Sequence, residues 1–227
     1  MKISNFKTQL GDISLNLHSN KDGEITNSES GYIFQSDSFR VEIIEFTEIK
    51  NWLKEVSEIE IQSSIGWIFR ITKLNDNNET LNFDCSLERT STEITSEPDT
   101  GENLQAIWIE DKKNVVSIGT EDGEMMRYRA EKNDWMPNRL KSELGIIKTG
   151  SFLNQKNQEK SFTKQLPFGF ETKIPKLKKG EKLYFHYLVA TNELKKSIDY
   201  PDEYDISTNF AVDYPKWTLI EKLNLKE

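Results

Sequence analysis

Alternation of apolar and polar positions dominates the chain. In "DISLNLH" every second residue, Ile13, Leu15 and Leu17, is apolar, and "SIGWIFRITKL" aligns Ile65, Trp67, Phe69 and Ile71 in the same way. "TLNFDCSLE" repeats the pattern with Leu81, Phe83, Cys85 and Leu87. A period of two puts such residues on one face of a β-strand, so each segment predicts a strand with one buried and one wet side. The last two, joined by the turn formers of "NDNNE", read as one β-hairpin. Further strands are predicted at "GYIFQ", "RVEIIEF", "LQAIWIE", "NVVSIGT", "EMMRYRA", "EKLYFHYLVA", "STNFAVD" and "WTLIEKL". Many short strands between polar turns characterise antiparallel sheets. The expected fold is therefore mainly β, a sandwich or open barrel with two or three short helices.

Helical spacing is confined to a few places. "TEIKNWLKEVSEI" sets Ile49, Trp52, Leu53 and Val56 on one helical face behind Thr47, a candidate cap. "MPNRLKSELG" opens with a proline suited to a first helical turn and closes at Gly145. "NELKKSI" is a third candidate. The Ser/Thr/Glu-rich "RTSTEITSEPDTGEN", with Pro98 and Gly101, reads as a surface loop. A polar stretch around 145–165, where acidic composition gives way to basic, favours two subdomains. These would be an acidic N-terminal β-rich one, 1–144, and a C-terminal β-rich one, 145–227.

Composition narrows the class. A chain of 227 residues is long enough to bury a sizeable core, and 11% aromatic residues spread along it argue against a long disordered tail. The N-terminal stretch lacks the apolar core of a signal peptide, no apolar run reaches bilayer length, and the lone Cys85 has no disulfide partner. A cytoplasmic location is expected. The net charge of −8 is uneven: residues 139–182 hold eleven Lys or Arg against four Asp or Glu, giving +7, so the remainder carries −15. An acidic body repels nucleic acid and anionic membranes and attracts a basic protein partner.

Motifs for catalysis are scarce. Two histidines and one cysteine argue against a zinc site, and no "GxSxG", "GxxxxGK[ST]" or "GxGxxG" occurs. No cofactor and no metal are expected, with calcium at the carboxylates of "DYPDEYD" the one ion left open. "GTEDGEMMRYRAEKNDW" gathers Glu121, Asp122 and Glu124 around Gly123, and between two predicted strands "EDG" reads as a hairpin turn, as does the "KDG" of residues 21–23. In "NDWMPNR", Trp135 and Arg139 form a candidate contact pair, since Trp and Arg are enriched at binding hot spots. The main candidate surface is residues 199–217. There Asp199, Asp202, Glu203, Asp205 and Asp213 mix with Tyr200, Tyr204, Tyr214 and Trp217 in proline-punctuated loops.

These features favour a non-enzymatic protein-binding module, such as an immunity protein or inhibitor that masks a basic toxin or nuclease. Two alternatives stand beside it. One is a structural or assembly part of a phage or secretion system, joined through strand edges. The other is a carbohydrate-binding or glycoside-processing sandwich with aromatic platforms.

Overall fold

The structure, a computed structural model, describes residues 1–56, 59–101, 104–121, 123–132, 134–142, 162–198, 202–217 and 219. In chain order the first elements are β1 (Lys2–Lys7), β2 (Gly11–Ser19), β3 (Gly23–Ser28), β4 (Gly31–Ser36), β5 (Phe39–Phe46), α1 (Ile49–Val56) and β6 (Ser63–Lys73). Then come β7 (Leu81–Arg89), β8 (Thr95–Gly101), β9 (Leu104–Glu110), β10 (Asn114–Glu121) and α2 (Gly123–Lys132). A 3₁₀ turn at Asn138–Ser142 precedes β11 (Thr163–Leu166), β12 (Gly169–Lys173) and β13 (Lys182–Glu193). After these come α3 (Ser207–Asp213) and a second 3₁₀ turn, Tyr214–Trp217. The strands form two antiparallel sheets, one of five in the order β1-β2-β7-β12-β11 and one of eight in the order β3-β4-β5-β6-β13-β10-β9-β8. The protein is mainly β, a sandwich with three short helices, as the alternation predicts.

The period-two faces meet between the sheets. Ile13, Leu15 and Leu17 with Phe83, Cys85 and Leu87 line the smaller sheet, and Ile65, Trp67, Phe69 and Ile71 with Phe185 and Tyr187 line the larger. Phe69 stacks on Phe185 with ring centroids 4.2 Å apart and meets Phe83 across the sandwich at 4.8 Å. Trp67 and Phe83 are 0% exposed, and burying each such ring contributes about 2–3 kcal/mol. Tyr187 sits among these rings because its hydroxyl donates to Thr172 Oγ1 at 2.7 Å, so the buried phenol is not left unpaired.

The central strands of the larger sheet are buried on both faces. On the outer side, Ile68, Tyr184, Leu188 and Ala190 are covered by Ile49 and Leu53 of α1 and by Ala211 and Val212 of α3. Gly119 makes the α3 contact possible. A Cβ there would lie 2.8 Å from Val212 Cβ and Cγ2, closer than side-chain carbons approach.

Several local expectations give way to tertiary structure. β6 and β7 are not a hairpin: they lie in different sheets and face each other, and "NDNNE" crosses the edge of the sandwich. That crossing is pinned, with Lys73 Nζ donating to the Asn77 carbonyl at 2.9 Å. Glu79 accepts from Ser19 Oγ at 3.1 Å and from Ser36 Oγ at 2.9 Å. "KDG" likewise links β2 of one sheet to β3 of the other. "EMMRYRA" forms α2, because its Glu, Met, Arg and Ala are strong helix formers and Met126 and Ala130, one turn apart, share the core face. "STNFAVD" forms α3, and "NELKKSI" is not helical: Lys196 makes a β-bridge to Tyr204. The predicted loop "RTSTEITSEPDTGEN" contains β8 and the buried Ile94. "MPNRLKSELG" contributes only a 3₁₀ turn, with Gly145 outside the described residues. Apart from Trp217 and Leu219, "WTLIEKL" also lies outside them. Residue 145 does not divide the sheets, since β12 pairs with β7 and β13 lies between β6 and β10.

Candidate functional site

The segment around Gly123 is not a hairpin turn; Asp122 and the side chain of Glu124 lie outside the described residues, and Glu121 is buried. β10 ends at Glu121, which is 2% exposed, and α2 starts two residues later. Glu121 Oε1 lies 3.5 Å from the guanidinium of Arg129 and 3.9 Å from Nδ1 of the fully buried His186. Arg129 also lies over the Tyr184 ring, 3.9 Å from its centroid, and the Tyr184 hydroxyl is 3.3 Å from His186 Nδ1. Burial first, and then the Glu121 charge, push the Tyr184 phenol well up, with Arg129 acting in the opposite sense. Glu121 is thus matched by a cation from the next helix, and the pair pins α2 to the sheet.

Other reactive groups are similarly spent. Cys85 is 0% exposed, and burial, reinforced by the Asp84 charge, pushes its thiol well up, so no thiolate forms near neutrality. His18 Nε2 lies 2.6 Å from Asp84 Oδ2 on the wet face of the smaller sheet. Among the described residues no hydroxyl or thiol is bonded to its other ring nitrogen.

Trp135 and Arg139 are both engaged within the chain. Trp135 adopts φ 47°, a left-handed backbone for a bulky residue, and packs half-buried on the outer cluster. Arg70 lies 4.3 Å and Lys182 4.6 Å from its ring centroid. Arg139 Nε donates to Glu181 Oε1 at 2.7 Å, and its Nη2 donates to the Lys176 carbonyl at 2.7 Å. Burial would raise the Glu181 pKa, but the hydrogen bonds from Arg139 and the Lys178 amide, with their charges, hold it below the usual carboxylate value. A cleft of about 500 Å³ borders these residues.

The 199–217 set is only partly brought together. Glu203 and Tyr204 line a groove, and Asp202 is exposed beside them. Asp205 is turned inward, accepting from the Ser207 amide at 2.8 Å and from the Ser207 hydroxyl, so it organises the start of α3. Asp213 is half-buried at the end of α3, and Tyr214 stacks on Phe210 at 5.4 Å against the outer cluster. Asp199 and Tyr200, and the side chain of Trp217, lie outside the described residues.

The groove itself, about 450 Å³, runs between the edge strand β8 with its neighbour β9 and residues 203–209, and Glu97, Asp99, Trp108 and Glu110 join Glu203 and Tyr204 in lining it. The β8–β9 register sets Glu97 opposite Trp108 and Thr95 opposite Glu110, which puts the acids and the indole on one outer face. Trp108 Nε1 donates to Glu110 Oε2 at 2.6 Å. Asp99 is set from below: Ser117 Oγ donates to Asn209 Oδ1 at 2.5 Å, and Asn209 Nδ2 donates to Asp99 Oδ2. Sequence reading misses Glu97, Asp99, Trp108 and Glu110 as site residues. Pro98 interrupts the segment, yet an edge strand tolerates proline because its outward amide has no ladder partner. The available signal is the i, i+2 spacing of Glu97 and Asp99.

Among the described residues no group of three or more His, Cys, Asp or Glu is arranged to hold a metal ion, and no helix is long and apolar enough to cross a membrane. The class defined by these features is a two-sheet antiparallel β-sandwich with an acidic, aromatic groove at one edge of its larger sheet. No protein family, curated protein or solved structure matches the chain.

Proposed function

We propose that this protein is a non-enzymatic binding module that docks a basic protein partner at the groove between β8–β9 and residues 203–209. One observation carries the reading. Of the five exposed large hydrophobic side chains among the described residues, two, Tyr204 and Ile206, line the groove together with four carboxylates, while a third, Ile198, lines a separate cleft. Apolar groups left in water beside a cluster of like charges suit a partner that covers the first and pairs with the second. Among the described residues that line the groove none is Lys or Arg, and although Lys196 lies over the Tyr204 ring, the four carboxylates attract cations and speed their encounter. An immunity protein or inhibitor that masks a basic toxin or nuclease is the form this acidic body supports. The buried His186 and the protonated, buried Cys85 support a role without chemistry.

Capture from host cells in low salt, with the wild-type chain and a Glu97→Lys/Glu203→Lys variant in parallel, tests the reading. Both side chains are at the surface, so the variant keeps its melting temperature within a few degrees. The expected outcome is a basic protein held by the wild type and at least tenfold depleted with the variant. Equal retention by both chains, or retained proteins that are not basic, overturns the proposal.

A further inference from the structure

We infer, resting on that reading, that the groove selects arginine over lysine and takes an extended, arginine-bearing segment of the partner. Pro98 lies in the middle of the edge strand β8 and has no N–H, so the edge cannot offer an unbroken row of backbone donors to an added strand. Recognition therefore falls to side chains. The volume, about 450 Å³, lies within the roughly 300–1,000 Å³ typical of sites that engulf a ligand.

Two of the four carboxylates, Asp99 and Glu110, are held in place by hydrogen bonds. Asp99 is held by Asn209, itself 5% exposed, and the Trp108 indole is tied along β9 by its bond to Glu110. Glu97 lies directly across the register from that indole, and Glu203 stands on the opposite wall. A guanidinium is a flat fork that bonds carboxylates in pairs while lying on an aromatic ring, so the held Asp99 and Glu110 carboxylates beside the tied Trp108 indole match it. An ammonium is a strongly hydrated point charge and gains little from such order. The groove's other ring already has a point cation: Lys196 Nζ sits 3.9 Å from the Tyr204 centroid and donates to the Asp202 carbonyl at 3.1 Å. An incoming cation is left the Trp108 side.

The experiment titrates the full, nitrogen-15-labelled chain at low salt with two peptides of equal length and charge, one built on arginine and one on lysine. The Trp108 indole N–H is followed, identified by its loss in Trp108→Phe. The arginine peptide is expected to bind at least tenfold more tightly and to shift that resonance. Asp99→Asn, or Trp108→Phe if the first variant does not fold, is expected to bring the two affinities within about twofold. Equal affinities in the wild type overturn arginine selection and leave the basic-partner reading standing. Binding of neither peptide at millimolar concentration overturns both.

Discussion

Three buried acids, Cys85, Tyr184 and Tyr187, share one consequence at the scale of single residues. Burial raises all three above their ordinary values of 9.0 for the thiol and 10.0 for the phenols. Each folded group keeps its proton at a pH where the unfolded chain has lost it, so stability is full below about pH 9 and falls as pH rises. Each group contributes a slope of about 1.4 kcal/mol per pH unit, roughly 4 kcal/mol for the three above about pH 10. Lys73 acts in the opposite sense, because burial lowers its pKa, and it offsets at most one of them. Denaturant unfolding from pH 8 to 11 is expected to show this decline, and stability that stays flat to pH 11 contradicts it. The burial of Cys85 is legible in the sequence, because period-two alternation is a local property that needs no knowledge of partners. The role of Glu121 was not, since the cation that matches it comes from Arg129, in a segment whose alternation mimicked a strand.

At the scale of elements, the docking of α3 on β10 decides the geometry of the groove, because Asn209 of α3 sets Asp99. Gly119→Ala tests this. Alanine reduces unfolded-state freedom and gains about 0.4–1 kcal/mol in a compatible site. Here its Cβ meets Val212 Cβ at 2.8 Å and the Val212 carbonyl oxygen at 3.1 Å, and such overpacking costs about 1–3 kcal/mol. The clash wins, so a net loss of stability is expected by thermal melting, reduced when Val212→Ala is added. An unchanged or higher melting temperature for Gly119→Ala counts against the packing described. α1 was readable because Ile49 and Leu53 repeat at helical spacing. The seven residues of α3 present Ser207, Thr208 and Asn209 to the interior, a polar face that Asp205, Ser117 and Asp99 make acceptable. Its one local sign is Asp205 two residues before Ser207.

At the scale of the molecule, the topology separates strands that are close in sequence and joins strands that are distant. β6 pairs with β5 and β13 while β7 pairs with β2 and β12, so residues 169–193 complete both sheets. Alternation identifies which face of a strand is buried but not which neighbour it finds, which is why the sandwich was legible and the "NDNNE" hairpin was mistaken. The same wiring brings Glu97 and Asp99 to Glu203 and Tyr204, about a hundred positions later, and so builds the groove. The most direct measurement is the stopped-flow association rate of the captured basic partner at several salt concentrations, for the wild type and for Glu97→Lys/Glu203→Lys. Docking through the groove requires the wild-type rate to exceed the variant's at least tenfold in low salt and the two to converge as salt screens the charges. Equal rates for the two chains at low salt would contradict the groove as the docking surface.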